Sequence, residues 1–205
     1  MATINKILDY IIWITIIFLL IFKSFNLING NNNSNIIIDT SKLEIKNITD
    51  KNIVNVIVDL PKSKQYTSRD KSTITAIVIH HTASDNSNPL NVAKVGIERF
   101  GYGHSYHYEI DTSGIIYQTN WISSITAHCK ENNSVSIGIV LDGNFEKQIP
   151  TNKQLESLIE LCKYLKVCIP SITEINGHNF YNKLTSCPGR NLNVNEIKKY
   201  VFDEY

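Results

Sequence analysis

The chain has 205 residues, 42% of them hydrophobic, the size and composition of one packed globular domain with appendages. Twenty Lys and Arg against nineteen Asp and Glu leave a net charge of +1, which excludes the polybasic surface of a nucleic-acid binder. Four cysteines are too few to build a disulfide scaffold in a chain this long.

The first element, residues 1–28, is a hydrophobic segment whose unbroken core runs from Ile11 to Phe22 and is closed by Lys23. That core has the length of a signal-peptide core. Extended from Ile7 to Leu27, it is long enough to cross a bilayer at the expense of burying Asp9 and Lys23 near its ends. No small-x-small cleavage site follows, so an uncleaved membrane anchor is preferred to a cleaved signal. Either one places the following domain outside the cytosol. Residues 29–70 open with a polar run, Asn29 to Asn35, that reads as a linker. Short apolar clusters mixed with charge follow, either a loosely attached leader or an edge element of the domain. The folded domain is expected over residues 71–205.

From about Thr73 the pattern sharpens. The β-branched run ending in His80 and His81 predicts a buried central strand. Asn91 to Gly101 spaces Val92, Val95 and Phe100 on one helical face, with Gly101 as the stop. Alternation through Tyr106, Tyr108 and Ile110, a turn at Asp111 to Gly114, and a return over Ile115 to Tyr117 predict a β-hairpin. Ser134 to Gly143 reads as a second interior strand. Thr151 caps a helix carrying Leu155, Leu158, Ile159, Leu161, Cys162 and Leu165 on one stripe. Asn191 to Val201 closes the chain as a shorter helix. Interleaved strands and helices with one antiparallel hairpin make an α/β fold, a central mixed sheet flanked by helices.

Most of the six histidines fall at strand ends or in loops, where sites collect. His80 and His81 are adjacent on a strand and point to opposite faces, so at most one faces a cleft. His178 and Cys187 lie in one loop region, and a loop of that length can fold back so that both converge. Zinc accepts imidazole nitrogen and thiolate sulfur, and a hydrolytic site keeps three protein ligands with one open position. His80, His178 and Cys187 supply such a set, at spacings that match no zinc finger. Two other roles are open to the cysteines. Cys162 and Cys168 are near enough in sequence for a disulfide, and Cys129 beside His128 is a weak candidate for a Cys/His nucleophile, because sequence neighbours usually diverge.

Four stretches in order, "AIVIHHTAS", "GHSYHYEIDTSGIIYQ", "TAHCKENNSVSIGIVLDGNF" and "GHNFYNKLTSCPG", together resemble the zinc-dependent N-acetylmuramoyl-L-alanine amidase family, which includes phage amidases and peptidoglycan recognition proteins. The resemblance spans about Thr73 to Tyr200. It implies one zinc ion held by His80, His178 and Cys187, and bacterial peptidoglycan as the partner of a monomeric domain. It makes Tyr106 and Thr185 the catalytic pair, Tyr106 handling the proton of the attacking water and Thr185 contacting the reacting carbonyl. His128 and His81 are the expected substrate-binding histidines. Two departures stand out. The stretch from His178 to Cys187 is one residue longer than the family's spacing, which bears on where Lys183 and Thr185 lie. Val140 stands where one bacterial branch carries a catalytic glutamate. The implied activity is hydrolysis of the amide between N-acetylmuramic acid and L-alanine. A non-catalytic recognition protein and a stem-peptide endopeptidase are the alternatives.

Overall fold

The computed structural model describes residues 52–203. The membrane-anchor and linker expectations lie outside those residues. Among the described residues, no helix is long and apolar enough to cross a membrane.

Six strands form one sheet in the order β1-β4-β3-β5-β2-β6. They are β1 (Ile53–Asn55), β2 (Ala76–His81), β3 (Tyr108–Ile110), β4 (Ile116–Gln118), β5 (Ser136–Leu141) and β6 (Glu174–Gly177). Only the β3–β4 hairpin is antiparallel; every other pairing is parallel. The two strands expected to be interior, β2 and β5, are neighbours and buried along their whole length. That explains their continuous apolar runs, since a parallel strand is covered on both faces.

The two faces differ in chemistry. One carries Ile77 and Ile79 of β2, Ile137, Ile139 and Leu141 of β5, and Tyr108 and Ile110 of β3, all in the apolar core. Two helices, α2 (Asn152–Cys168) and α4 (Val194–Phe202), lay Leu158, Leu161, Leu165 and Ile197 into that core. The α2 start is the expected Thr151 cap, completed as a capping box in which Gln154 bonds back to the Thr151 backbone. By the alternation of a strand, the other face carries His80, Gly138, Val140 and Glu109. It is the polar face; the short α3 (His178–Tyr181) packs on β2 and β6, and α1 (Pro89–Phe100) rests through Gly96 on the loop of Gly103 and Ser105.

The fold decides one open alternative and revises three expectations. Residues 53–70 take the edge-element reading. β1 pairs with β4, Tyr66 stacks on Tyr102 with ring centroids 4.6 Å apart, and Arg69 donates to the carbonyls of Asn133, Ile122 and Ser136. The hairpin strand begins at Tyr108, not Tyr106, because the Tyr106 backbone is engaged by side chains of His104, Thr119 and Asn120.

Helix α1 ends at Gly101 as expected, in a left-handed cap. However, it packs through Ala93 and Gly96, leaving Val95 44% and Phe100 50% exposed. A Cβ on Gly96 would come within 1.8 Å of the Gly103 carbonyl oxygen, so glycine is what lets the helix approach that loop. Finally, Cys162 and Cys168 are both free, one buried and one exposed. Six helical steps separate them by roughly 9 Å along the axis and turn them to different sides, beyond the span of a disulfide.

Candidate metal centre and cleft

Two neighbouring strands and one loop deliver three of the predicted residues to a single point. His80 is the next-to-last residue of β2, on the polar face, and His178 follows directly from β6, the parallel neighbour of β2. The loop after α3 returns Cys187 to the same place. Their ligand atoms all lie within 4.8 Å of one another. Cys187 Sγ is 3.6 Å from His80 Nδ1, and the His80 and His178 ring centroids are 4.7 Å apart.

Hydrogen bonding fixes which nitrogen of His80 is free. Ser136 Oγ donates to the Asn132 carbonyl at 2.6 Å and so accepts from His128 Nε2 at 3.3 Å. His128 Nδ1 is then an acceptor, and it takes the Nε2 proton of His80 at 3.1 Å. His80 Nδ1 keeps its lone pair and faces Cys187. A Cβ on residue 138 would meet the His128 ring at 2.6 Å, so Gly138 makes room for this histidine over β5.

The donor set fits zinc. Two imidazoles and one thiolate, buried, with a cleft on the remaining side, are the ligands of a site that keeps an open position. Burial pushes the Cys187 thiol up to about 12, so a cation is needed to hold it as thiolate at neutral pH. Burial is also the first cause lowering His80 and His178, which keeps both imidazoles neutral, as ligands must be.

A cleft of about 450 Å³ opens beside these residues. Its lining includes Val95, Arg99 and Phe100 of α1 together with His178 and Thr185. The exposed apolar side of α1 is therefore a cleft wall. Tyr106 lines the cleft with its ring centroid 4.9 Å from that of His80. Its phenol is raised above its ordinary value, first by burial and then by Cys187, so it stays protonated and available as a donor. Thr185 also lines the cleft. Its Oγ1 accepts from the Cys187 N–H at 3.2 Å, which leaves its own hydroxyl proton free to donate.

Other expected residues take different places. His128 borders the cleft as expected, but both its ring nitrogens are engaged, by His80 and Ser136. That engagement, together with a Cys129 thiol raised by burial, removes the Cys/His nucleophile. His81 borders the cleft, yet its Nδ1 accepts the Phe145 N–H at 3.1 Å and its ring lies against Phe145, so it braces the loop after β5. Lys183 is exposed, with its ammonium 5.4 Å from the Phe180 ring centroid. Val140 is fully buried between Glu109 and His80, with no carboxylate of its own to offer.

The residues sequence reasoning missed are supports. Arg69, His104, Glu109 and Asn120 act through contacts 5 to 67 residues away in the chain, which no local pattern reveals. The one available signal was Glu109, a charge inside a strand that reads as buried.

Comparison with known proteins agrees with this geometry. Residues 70–190 match the family model "N-acetylmuramoyl-L-alanine amidase". A peptidoglycan-recognition protein of Drosophila simulans is 29% identical over 135 residues, covering 60% of this chain and 72% of that protein. The solved structure of the N-acetylmuramoyl-L-alanine amidase LysC from Clostridium intestinale is 29% identical, with a TM-score of 0.67, over 74% of this chain and 98% of that one. A Drosophila peptidoglycan recognition protein of the SD type shares the fold at 23% identity and a TM-score of 0.63, over 76% of this chain and 95% of that one.

Proposed function

The chain belongs to the N-acetylmuramoyl-L-alanine amidase family, and on that premise we propose that it is a zinc-dependent enzyme cutting the amide between N-acetylmuramic acid and L-alanine in bacterial peptidoglycan. The observation that carries this reading is the convergence of His80, His178 and Cys187 within 4.8 Å, beside Tyr106, at a cleft. A recognition protein needs only the groove. A buried thiol set against two neutral imidazoles is chemistry that binding alone does not require.

His80, His178 and Cys187 hold the metal, one ion per domain. Bound zinc supplies Lewis acidity, acidifying a water and polarising a carbonyl. Hydrolysis breaks the bond between the lactyl carbonyl carbon and the alanine nitrogen; the carbon gains the water's hydroxyl and the nitrogen its proton. Tyr106, protonated at rest, orients the water and relays the proton, giving its own hydroxyl proton toward the leaving nitrogen as it takes one from the water. The free Thr185 hydroxyl donates to the carbonyl oxygen as charge builds there. His128 holds His80 in the tautomer that presents Nδ1. The apolar α1 wall and Arg99 receive the substrate.

Peptidoglycan lies outside the cytosol, and the hydrophobic run Ile11 to Phe22 is the means proposed for delivering the domain there, as an anchor or a signal. The test is digestion of purified sacculi by the full chain, with products read by mass. Free stem peptides beginning with L-alanine, lost on chelation and restored by zinc, are expected. Cuts within the stem peptide would reassign the chain as an endopeptidase. Retention on sacculi without products would make it a recognition protein.

A further inference from the structure

Tyr106 sits in a bend ahead of β3, outside the strand ladder, and its main chain is held almost entirely by side chains. Its carbonyl accepts from Thr119 Oγ1 at 2.9 Å and from Asn120 Nδ2 at 2.7 Å. His104 Nδ1 lies 3.3 Å from both the Tyr106 N–H and the Tyr106 carbonyl oxygen; because that carbonyl already accepts from Thr119 and Asn120, the nitrogen serves as acceptor for the N–H. The His104 proton must then sit on Nε2, which donates to Glu109 Oε2 at 2.5 Å. The His104 and Glu109 side chains are 1% and 0% exposed. Behind them, the carboxyls of Glu109 and Asp142 face each other within hydrogen-bonding reach. Glu109 Oε1 and Asp142 Oδ1 are buried with no donor to serve them, and a proton shared between the two carboxyls supplies the one they lack.

An imidazole and two carboxyls buried together are costly to keep, and apolar side chains of the same volume often fill such a space at lower cost. What the polar chain adds is direction. It runs from the end of β5 through Glu109 and His104 to the Tyr106 main chain, and the Tyr106 ring stands beside His80. We propose that His104 is a positioning residue for Tyr106, and that the Glu109–Asp142 carboxyl pair locks the imidazole tautomer that lets it serve. The assignment rests on the amidase reading for its effect on rate, and on the hydrogen-bonded chain alone for its effect on Tyr106. Burial is the first cause raising both Glu109 and Asp142 to about 8; Glu109 then adds to the rise of Asp142, while the hydrogen bond from Asp142 partly offsets that of Glu109. The charged and titratable groups facing the pair are Asp111 of the hairpin turn, Tyr117 of β4, Tyr106 and His104. Burial holds His104 neutral, at about 3.

The experiment compares the full, zinc-loaded chain with H104L, E109V and E109Q, using soluble muropeptides as substrate and 13C-labelled tyrosine as a probe. The Tyr106 resonance is assigned by its loss in Y106F. H104L and E109V are expected to lose about 10- to 100-fold in kcat with KM held within about twofold, and to shift or broaden the Tyr106 resonance. In E109Q the amide oxygen accepts from His104 and the amide nitrogen donates to Asp142, so kcat and the resonance return to within about threefold and near the original position. E109Q also removes a titrating carboxyl, and the alkaline arm of the kcat profile near pH 8 flattens. The proposal is overturned if E109V leaves kcat and the resonance unchanged, or if E109Q falls as far as E109V. Should H104L not fold, the E109V and E109Q pair decides. Should the wild-type chain release no stem peptide, the amidase reading fails, and the resonance in the same variants still judges the clamp.

Discussion

The imidazoles of His80 and His128 meet edge to face, with His80 Nε2 3.1 Å from His128 Nδ1 and the ring planes at 86°. Because Ser136 fixes the proton on the far nitrogen of His128, the contact has one direction: His80 donates and His128 accepts. H128F keeps a ring over Gly138 but removes the acceptor that selects the His80 tautomer. Zinc affinity is expected to fall about 10- to 100-fold, the usual effect of removing the outer partner of a metal-bound histidine. Chelator competition measures it, and unaltered affinity would take the positioning role away from His128.

Arg69 ties the segment before β2 into the domain. Its guanidinium, from a position two-thirds of the way between β1 and β2 in sequence, donates to three backbone carbonyls at 2.5 to 3.3 Å. A fragment of residues 71–205 lacks Arg69, β1 and Tyr66, and so loses these hydrogen bonds, the β1–β4 pairing and the Tyr66–Tyr102 stack, and uncovers the surface they pack on. It is expected to be insoluble or to melt far below a fragment of residues 52–205. Equal melting temperatures for the two would mean that residues 52–70 add nothing to the fold.

The legible parts of this molecule were those written in local pattern. Thr151 with Gln154, Gly101 after α1, and the apolar runs of β2 and β5 each carry their own signal, and each sits as expected. His80, His178 and Cys187 were found through motifs whose spacing says little about convergence. They come together because β6 lies beside β2, a fact of topology. The α1 wall was misread for a related reason. Val92, Val95 and Phe100 have core-like spacing, and only the close approach of Gly96 to Gly103 shows that the helix rests on its small side. The pairing of His104 with Glu109 is not legible locally: Glu109 stands out as a charge in a buried strand, but nothing in the pattern says that His104 is its partner.

That glycine contact makes a sharp prediction. In G96A the added methyl would overlap the Gly103 carbonyl, which is backbone and cannot swing aside like a flexible side chain. Relief requires α1 to lift from the loop holding His104 and Tyr106. A loss of about 1 to 3 kcal/mol is expected in urea unfolding, together with reduced activity, since the cleft wall and Tyr106 move together. A variant that matched the parent in both would show that the helix is not seated by this contact.

The buried titratable groups set opposite slopes of stability against pH. Glu109 and Asp142 are raised from 4.5 and 3.8 to about 8, so the folded state holds a proton that the unfolded chain releases. Their contribution therefore weakens as pH rises from about 4 to about 8. His104 and His107 are lowered from 6.5 to about 3, chiefly by burial, so the unfolded chain takes up protons that the folded state refuses. Stability from this source is complete above 6.5 and is lost as pH falls toward 3. Where the windows overlap, protonation of these and the other buried imidazoles outweighs the shared carboxyl proton, and the maximum is expected near about pH 6 to 7. Melting temperatures of the metal-free chain from about pH 5 to 9 locate it. E109Q keeps the hydrogen bonds without the titration, so between about pH 7 and 8, below the range where the buried thiols of Cys129, Cys162 and Cys187 add an alkaline loss of their own, its melting temperature should fall less than that of the parent. A parallel decline in both would place the alkaline loss elsewhere than in the carboxyl pair.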